Sequence, residues 1–515
     1  MNASGHAVLL IDGATLSIQQ LRRFGIPGAG RDFDAAQPPV ELAQQARQDM
    51  QRSVDVVRET VRTDRVSYGI TTGFGAFANK RISADQVKQL QLNLLRSHAC
   101  GVGAPLAPSL VRKMLLLKAN SLAAGFSGVR PAVVDALLAL LNADVLPLIP
   151  ERGSVGASGD LAPLAHLALC LIGEGEAMHG GARVEGPAAC AAAGFTPLAL
   201  EAKEGLALIN GTQLSLSLAL EGLFRAETLL DASVVIGSLT IDGLAGSYSP
   251  FDLRIHQASR SPHQVEIARR FGVLLTDSAI HRNHQDCDRV QDPYAVRCMP
   301  QVLGAVEGVL DHARTVLGAA INGVSDNPLI FGNDILSGGN FHAEPLAMLS
   351  DYLAIAVAEI ASMSERRTDL LDRRVNPALN MFLTTEPGLE SGFMIAHVTA
   401  AALTSENRTL AHPASVDNVT TSAGQEDHVS MAPWAGFKLR QICVNTQNVL
   451  AIELLAAAHA IDKQQPLQTT APLQQVHTTV RRCVEYRPYD HRLDRDIAAL
   501  AELIEQGTLS AFLHS

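Results

Sequence analysis

Long stretches of the chain place apolar side chains at the three- and four-residue spacing of an amphipathic α-helix. Residues 302–321, 345–363 and 448–461 carry this spacing most clearly, and Gly323 predicts the end of the first of these helices. Strand-like alternation is rare along the chain. Long apolar-faced helices with few strands predict a mainly α protein built on a long helix bundle.

Shorter segments have a more mixed character. Residues 214–220 alternate with a period of two, which is a strand signal, but their Ala- and Leu-rich continuation to Leu230 favours one helix. Glycine and proline predict loops at 25–39 and 67–75, and the weakly patterned residues 174–196 predict a surface excursion. Further helices are predicted at residues 40–66, 84–98, 110–124 and 131–141.

The composition describes a globular chain with a large core: of 515 residues, 47% are hydrophobic and 18% charged. The net charge of −11 argues against nucleic-acid or anionic-membrane partners. Seven scattered cysteines form no CxxC pair, and residues 1–12 lack the features of a signal peptide, so we expect a reduced, cytoplasmic location. The most apolar stretch, residues 132–149, is interrupted by polar residues and predicts a core helix instead of a membrane span.

One glycine-rich turn carries the most specific chemistry that the sequence suggests. Ala157, Ser158 and Gly159 stand shortly before the apolar run 161–172. Gly159 has no Cβ, so its amide nitrogen can come close to a neighbouring carbonyl carbon. If that nitrogen attacks the carbonyl of Ala157 and two waters leave, a five-membered ring forms, with an exocyclic methylene derived from Ser158. Such a ring is a strong electrophile, which no unmodified side chain provides.

Two other interpretations of this turn are simpler. A Gly/Ser turn can cap the helix that follows, with Asp160 in its first turn against the helix dipole, and for the turn taken alone this interpretation is favoured. A serine-hydrolase elbow requires the pattern G-x-S-x-G. Gly159 follows Ser158 directly, which breaks that register.

Polar residues elsewhere are candidates for a binding site, although each has a structural interpretation as well. Tyr68 lies in the glycine-rich loop, where its phenol could reach a ligand or anchor the loop on the core. His98 ends a predicted helix and could simply complement its dipole. Asn210 stands at a turn, where it could cap a helix.

A later segment combines an amide, a phenol and a guanidinium. Tyr294 and Arg297 are three residues apart and share a face if the segment is helical, and Gln291 precedes them. Arginine suits a bidentate grip on a carboxylate. The simpler use of this arginine is a surface ion pair with Asp292 or Asp288.

Further along, Phe341 lies in a polar turn, and Glu426 lies in a polar run that could be a solvated helix start. His281 and His284, with residues 286–288, offer metal-ligand types at short spacing, but no HExxH or paired CxxC accompanies them. Walker A and strand-linked GxGxxG patterns are also missing from the sequence. We therefore expect no metal and no nucleotide cofactor.

Taken together and in order, these segments resemble the histidine ammonia-lyase branch of the aromatic amino acid lyase family. The matching segments are SYGITTGFG, RSHACGVG, GSVGASGDLAPLAHLAL, KEGLALINGTQ, QDPYAVR, SGGNFHAEP, SERR, SGFMIAHVTAAAL and QEDHVSM. Each segment alone is weakly specific, whereas the ordered set is very specific. Against the ordered set, the separate structural interpretations lose.

The resemblance implies a central helix bundle of the aspartase/fumarase-like type, with an N-terminal subdomain that carries a prosthetic group. We expect residues 1–204 to hold the lid loop and the prosthetic-group segment, and residues 205–515 to form the bundle and a C-terminal helical region. The resemblance also implies a cytoplasmic homotetramer with active sites shared between subunits. Its partner is a small amino acid, not nucleic acid or a membrane.

The resemblance further implies that Ala157, Ser158 and Gly159 cyclise autocatalytically to 4-methylidene-imidazol-5-one. The catalytic residues are then Tyr68, as the base on the lid loop, Tyr294 and Glu426. The substrate-binding residues are His98, Asn210, Gln291, Arg297 and Phe341. Within this set, Arg297 holds the substrate carboxylate.

Two positions point to L-histidine as substrate, with trans-urocanate and ammonia as products. His98 and Glu426 can pair with the nitrogens of an imidazole ring, which an apolar pocket would leave unpaired. Ala76 stands where the histidine branch usually has a lysine, which changes the lid. A histidine 2,3-aminomutase, or another aromatic amino acid lyase or aminomutase with the same ring, is the alternative, and a non-catalytic helical scaffold is a remote one.

Overall fold

Short helices and small sheets build the N-terminal part of the protein, whose computed structural model describes residues 8–24, 38–284 and 289–513. The helices of this part are α1 (Ile18–Arg22), α2 (Gln44–Arg62), α3 (Val87–His98), α4 (Pro108–Ala123), α5 (Pro131–Asn142), α6 (Leu161–Leu171), α7 (Gly186–Ala192) and α8 (Glu204–Ile209). The strands are β1 (Leu9–Ile11), β2 (Val40–Leu42), β3 (Val102–Pro105), β4 (Leu146–Pro147), β5 (Pro150–Arg152), β6 (Glu176–His179) and β7 (Ala182–Glu185).

These strands form three small sheets. Strand β1 pairs in parallel with β2, β3 pairs antiparallel with β5, and β4, β6 and β7 form an antiparallel sheet in the order β4-β6-β7. One prediction is wrong here, because residues 40–42 are a strand and not the start of a helix. Residues 174–196, predicted as a surface excursion, are mostly exposed or half-buried. They hold a hairpin, which turns at Gly180 and Gly181 with positive φ, followed by α7.

The second part of the chain is dominated by long helices. Its helices are α9 (Gln213–Gly243), α10 (Leu253–Ser259), α11 (Pro262–Leu274), α12 (Ala279–Arg282), α13 (Tyr294–Arg297), α14 (Met299–Ala320), α15 (Glu344–Asp372), α16 (Met394–Leu410), α17 (Ala432–Asp462), α18 (Ala471–Cys483) and α19 (Asp494–Glu505). A small antiparallel hairpin, β8 (Leu329–Phe331) and β9 (Asp334–Leu336), lies between α14 and α15. The predicted bundle helices are confirmed, and α9, α15 and α17 are longer than the pattern predicts. The predicted loop at 25–39 lies almost wholly outside the described residues.

Helices α9, α15 and α17 form the centre of the bundle and pack on one another. Helix α9 is buried on nearly all sides, and such a helix shows no single apolar stripe. Its strand-like alternation at 214–220 therefore reflects burial of both sets of positions. At Gly222 a Cβ would stand 2.2 Å from Leu439 Cδ2, so the missing side chain lets α9 and α17 come close.

A buried polar cluster fastens the same three helices. Arg367 on α15 donates from Nε and Nη2 to the Glu453 carboxylate on α17, at 2.5 and 2.7 Å. Thr240 on α9 donates to the same carboxylate at 2.7 Å. Because both charges are fully buried, loss of either partner would leave the other unpaired in the core.

The hydrophobic core runs as one cluster from Leu9 to Leu513, through both parts of the chain. The predicted division at residues 204 and 205 stays a prediction. Among the described residues, α15 is the one helix long and apolar enough to cross a membrane by length and composition, and 61% of its most apolar window is buried inside the protein. Core helices of bundles pass the same test.

Candidate active site

The turn around Ala157, Ser158 and Gly159 lies between β5 and α6 and is pressed against two other segments. Gly159 has a φ of +80°, and a Cβ there would stand 2.2 Å from the Gly211 carbonyl oxygen. Gly156 has a φ of +70°, and a Cβ there would meet the Ser430 hydroxyl at 2.2 Å. Only glycine fits at these two positions. Ala157 is buried beside them.

Asp160 anchors the turn to the beginning of α9. Its amide donates to the Gly211 carbonyl at 2.7 Å, and its fully buried carboxylate accepts from the Ser215 amide at 2.9 Å and the Ser215 hydroxyl at 3.0 Å. Ser154 donates to the same carboxylate at 3.0 Å. Burial raises the pKa of Asp160, although the hydrogen bonds from Ser215 and Ser154 oppose that rise.

This arrangement corrects the simple interpretation of the turn. Asp160 is the residue before α6, but its side chain makes no capping hydrogen bond to that helix. Instead it accepts from the first turn of α9, whose free amides favour a negative charge. The carboxylate therefore joins the turn to another helix and does not cap its own.

The carbonyl groups of the turn are held from a second direction. The Ser430 hydroxyl donates to the Gly156 carbonyl at 3.0 Å, and the Met431 amide donates to the Val155 carbonyl at 2.8 Å. The Ala343 amide also donates to the Gly156 carbonyl, at 3.2 Å. The beginnings of α9, α15 and α17 thus converge on the turn.

Glu426 lies directly on this turn. The Ser158 hydroxyl donates to its Oε1, while Thr421 and Ser422 donate to its Oε2 at 2.8 and 2.7 Å. Burial acts to raise the pKa of Glu426, but the hydrogen bonds from Ser158, Ser422 and Thr421 and the nearby His98 together bring the pKa below its ordinary value. The residue is thus held as a carboxylate at neutral pH.

His98 stands at the end of α3, within electrostatic range of Glu426. Burial lowers the pKa of His98, although the Leu94 carbonyl and the Glu426 charge oppose the shift. The Ser97 hydroxyl lies 3.0 Å from His98 Nδ1. A neutral imidazole and a carboxylate therefore face the same space beside Ser158.

Tyr68 lies in a loop that packs on the same end of the protein. A Cβ at Gly69 would stand 2.4 Å from Leu206 Cδ2 on α8, so the loop lies tightly against that helix. The Tyr68 phenol oxygen accepts from the Gly75 amide at 3.3 Å. The short helical turn at Gly75–Phe77 contacts the turn at Ser422–Gly424, which precedes Glu426. The glycine-rich loop thus borders the space beside Ser158.

Asn210 is buried between α8 and α9, next to Gly211. Its side-chain Nδ2 donates to the Asn327 carbonyl at 3.2 Å, and its own carbonyl accepts from Lys118 Nζ at 2.7 Å. Within the described part of the chain, its Oδ1 is buried and has no hydrogen-bond partner. A buried acceptor without a donor is costly, which marks the position where a missing donor group belongs.

Phe341 belongs to the same end of the protein and is half-buried. It lies two residues before Ala343, whose amide holds the Gly156 carbonyl. The next residue, His342, stacks on His428 with ring centroids 5.5 Å apart. The structure therefore gathers five of the predicted positions around the turn: Tyr68, His98, Asn210, Phe341 and Glu426.

Gln291, Tyr294 and Arg297 lie elsewhere. The preceding Arg289 donates to the carbonyls of Leu244 and Ala245, which directly follow α9. Asp160 binds the opposite end of α9, at Ser215. At about 1.5 Å per residue, the two ends of α9 are about 44 Å apart, so these three residues cannot reach Ser158 of their own chain.

The side chains at this distant end have few partners. Tyr294 is 74% exposed, and Arg297 donates to Gln291 and lies 6.0 Å from the Tyr294 ring. Asp292 pairs with Arg289 at 2.9 Å instead, so the simpler interpretation of Arg297 as its partner is wrong. Asp288 lies outside the described residues.

The weak metal hypothesis finds no support in the described residues. His281 Nδ1 lies 3.2 Å from the Gly246 carbonyl oxygen, and its ring stacks on Tyr248 with centroids 4.0 Å apart. No group of three or more potential ligands occurs within the described ranges, and residues 285–288 lie outside them.

Two charged residues near the site were not predicted from the sequence. Lys118 lies on the apolar helix α4, and Asp326 pairs with Lys203 at 2.6 Å, with both partners buried. The available signal was the lysine itself, because a lysine inside an apolar helix seldom lies in a core unless it is paired.

Comparison with known proteins extends these observations. Residues 31–482 match the aromatic amino acid lyase family. The chain is 49% identical over 511 residues to a histidine ammonia-lyase of Enterobacter sp. (strain 638), covering 99% of both chains.

Two solved structures resemble this chain over nearly its whole length. The histidine ammonia-lyase of Trypanosoma cruzi has a TM-score of 0.88 and 36% identity, covering 99% of this chain and 95% of that one. The tyrosine aminomutase of Streptomyces globisporus has a TM-score of 0.91 and 33% identity, covering 99% and 98%.

Proposed function

The chain belongs to the aromatic amino acid lyase family, and on that premise we propose that it is a histidine ammonia-lyase, which eliminates ammonia from L-histidine to give trans-urocanate. The observation that carries this proposal is the hydrogen bond from Ser158 to Glu426, with His98 within electrostatic range of the same carboxylate. The relatives of about half-identical sequence named histidine ammonia-lyase support it.

The turn fits an internal prosthetic group, 4-methylidene-imidazol-5-one, made from Ala157, Ser158 and Gly159. Gly211 leaves no room for a Cβ at residue 159. Gly159 therefore has no side chain that could obstruct the attack of its own amide nitrogen on the Ala157 carbonyl. Asn210 Oδ1, which has no hydrogen-bond partner in the described part of the chain, offers an acceptor next to the turn. When formed, the ring supplies an electrophile that turns the amino group of the substrate into a leaving group.

His98 and Glu426 select the imidazole side chain in this proposal. A neutral histidine and a carboxylate provide one donor–acceptor ring and one acceptor, which suit the two nitrogens of an imidazole. A phenyl ring in the same place has no N–H that could donate to the half-buried Glu426 carboxylate. The polar pair therefore disfavours phenylalanine as substrate.

The family resemblance supplies the remaining roles. Tyr68 on the lid loop removes the β-proton, Arg297 holds the substrate carboxylate in a bidentate manner, and Phe341 packs against the substrate. Gln291 and Tyr294 accompany Arg297. Asn210 faces the amino group with its free amide oxygen.

This set of roles requires more than one chain. Because about 44 Å of α9 separates Arg297 from Ser158 within one chain, the carboxylate grip must come from another subunit. The proposed assembly is a cytoplasmic homotetramer in which chains run antiparallel, so that α13 of one lies at the turn of another. Exposed apolar residues on one face of α15 support such packing: Met348, Tyr352 and Ile355.

Incubation with L-histidine tests the reaction. The lyase releases urocanate, measured by its absorbance, and free ammonia in equal amounts. Retention of ammonia in a β-amino acid would instead identify a 2,3-aminomutase, the second candidate, which the likeness to tyrosine aminomutase favours. Neither product, together with an intact mass that shows no loss of two waters, would identify a non-catalytic scaffold.

A further inference from the structure

Lys118 on α4 is a fully buried lysine that reaches the active-site segment directly. Its Nζ donates to the carbonyl oxygen of Asn210 at 2.7 Å. The next carbonyl along, that of Gly211, accepts from the amide of Asp160, which directly follows the ring-forming residues. The carbonyl that Lys118 holds and the carbonyl that touches the turn therefore belong to consecutive residues.

The other atoms of Asn210 are held as well. Its backbone amide donates to the Leu206 carbonyl at 2.9 Å, and its Nδ2 donates to the Asn327 carbonyl at 3.2 Å. A carbonyl can only accept, so this contact fixes which end of the side-chain amide carries the oxygen. Asn210 Oδ1 is consequently presented as an acceptor, without a partner among the described residues.

A second lysine secures the same arrangement from the other side. Lys203 precedes α8 and binds the Asp326 Oδ2 at 2.6 Å, and Asp326 Oδ1 accepts from the Asn327 amide at 2.7 Å. Asn327 in turn holds Asn210. Lys203 and Lys118 thus lie at the two ends of the short helix α8, and both act on the residue that ends it.

We propose that Lys118 is a positioning residue of the active site, which fixes Asn210 so that its amide oxygen accepts a hydrogen bond from the amino group of the substrate. This inference rests on the proposed function and deepens it. It accounts for two features that packing alone does not: a buried ammonium group aimed at one main-chain carbonyl, and a buried amide oxygen left without a donor.

The electrostatics of the site agree with this role. Burial lowers the pKa of Lys118 to about 7, and the charge of Lys203 acts in the same direction, whereas Asp326 and Asp160 oppose it. In either protonation state the amino group can donate to the Asn210 carbonyl. The contact is therefore kept across the neutral range.

A double-mutant cycle tests the proposal. Lys118→Met is expected to lower kcat about 10-fold or more in the wild-type background, because Asn210 is no longer fixed. In an Asn210→Ala background the same change is expected to lower kcat less than about 2-fold, since the group that Lys118 positions is already gone. Equal losses in both backgrounds would overturn the proposal.

Lys113 provides the matched control. It lies on the same helix, is equally buried, and donates to the Ser109 carbonyl at 3.2 Å, away from Asn210. Lys113→Met removes a buried lysine from α4 as well, so a purely structural loss would appear in both variants. A kcat loss in Lys113→Met equal to that in Lys118→Met, at equal thermal stability, would count against the proposal.

Two further measurements keep the result interpretable. Intact mass reports the loss of two waters and so separates failure to form the ring from slow turnover.

Should Lys118→Met not fold, Lys118→Gln, which can still donate to the Asn210 carbonyl, is expected to retain more of kcat than Asn210→Ala does. Less activity in Lys118→Gln than in Asn210→Ala would contradict the proposal. The wild-type arm with L-histidine tests the proposed function separately, since the cycle can be run with whichever amino acid the wild type consumes.

Discussion

The two ends of α9 differ in how completely their polar groups are satisfied. At its beginning, the Asp160 carboxylate accepts three hydrogen bonds from Ser215 and Ser154, and Gly156 and Gly159 stand where a Cβ has no room. At its far end, Tyr294 is 74% exposed and Arg297 binds only a neighbouring amide among the described residues.

On the proposed function, this difference indicates what each chain would contribute to a shared site. The beginning of α9 is fixed by hydrogen bonds to the turn from which the proposed ring would form. The far end presents an aromatic ring and a guanidinium whose one hydrogen bond among the described residues is to Gln291. Exposed tyrosine and arginine side chains are typical of a surface that binds a partner.

Ser158→Ala gives the largest expected effect, since it removes the source of the methylene in the turn at the beginning of α9. We expect kcat to fall by about 10³-fold or more, because no other side chain of the site is an equivalent electrophile. The melting temperature should change little, since Ser158 is not fully buried. Urocanate formation and intact mass check this, and activity above a tenth of the wild-type value would contradict the assigned ring.

Arg297→Ala tests the binding group at the far end of α9. We expect a loss of about 10²-fold in kcat/KM, because the substrate carboxylate loses a charged, bidentate partner. Mixing Arg297→Ala chains with Ser158→Ala chains should then restore a measurable fraction of activity, since a mixed assembly contains sites with both intact halves. Mixed tetramers that remain inactive would show that the two halves do not come from different chains.

Glu426→Gln separates the effect of the charge of this side chain from the effect of its size, near the beginning of α9. The amide keeps the size of the side chain but loses the negative charge that faces His98, and we expect kcat/KM for L-histidine to fall about 10- to 10²-fold. Asp427→Asn is the matched control, because this neighbouring residue is exposed. A similar loss in both variants would point to a general effect of charge on the loop.

Asp372→Asn gives the smallest effect and concerns stability at the far end. Burial and the charge of Asp369 raise the pKa of Asp372 to about 7 against the lowering influence of His397, whose Nδ1 lies 3.9 Å from Asp372 Oδ2. Both carboxylate oxygens are without a hydrogen-bond partner among the described residues. The folded chain therefore keeps a proton that the unfolded chain loses above about pH 4, so the wild-type free energy of unfolding falls as pH rises from about 4 to 7.

The Asp372→Asn variant removes this fall in the free energy of unfolding with rising pH. We expect Asp372→Asn to be more stable than wild type by about 1–3 kcal/mol at pH 8 and equal to it near pH 4, at one fixed protein concentration. Denaturant unfolding at both pH values measures the difference. A variant that is less stable at pH 8 would mean that a second subunit supplies a donor to this carboxylate.

The long helices are predictable from the sequence because helical spacing persists over many turns. The ordered motifs predict which residues lie around the turn at Ala157, Ser158 and Gly159, whereas the ring and the roles of those residues stay predictions. Strand β2 escapes prediction, because three residues paired to the chain terminus carry no periodic signal of their own. Asp160 escapes in another way: its spacing indicates a cap for α6, whereas the tertiary structure brings it to α9.

Lys118 shows the same limit at the site. Its contact with Asn210 joins positions 92 residues apart, and no local pattern marks a pair at that separation. Similarly, the short spacing within QDPYAVR indicates a binding group but not where it lies. The contacts at the two ends of α9 place this segment far from Ser158 of its own chain, and its role in the site of another chain stays a proposal.

The length of α9 also bears on when the enzyme becomes active. If the site is shared between subunits as proposed, a single chain has no carboxylate grip within reach of its own turn. Turnover would then report correct quaternary assembly. A single rigid helix thereby couples the onset of catalysis to the concentration of its own subunits.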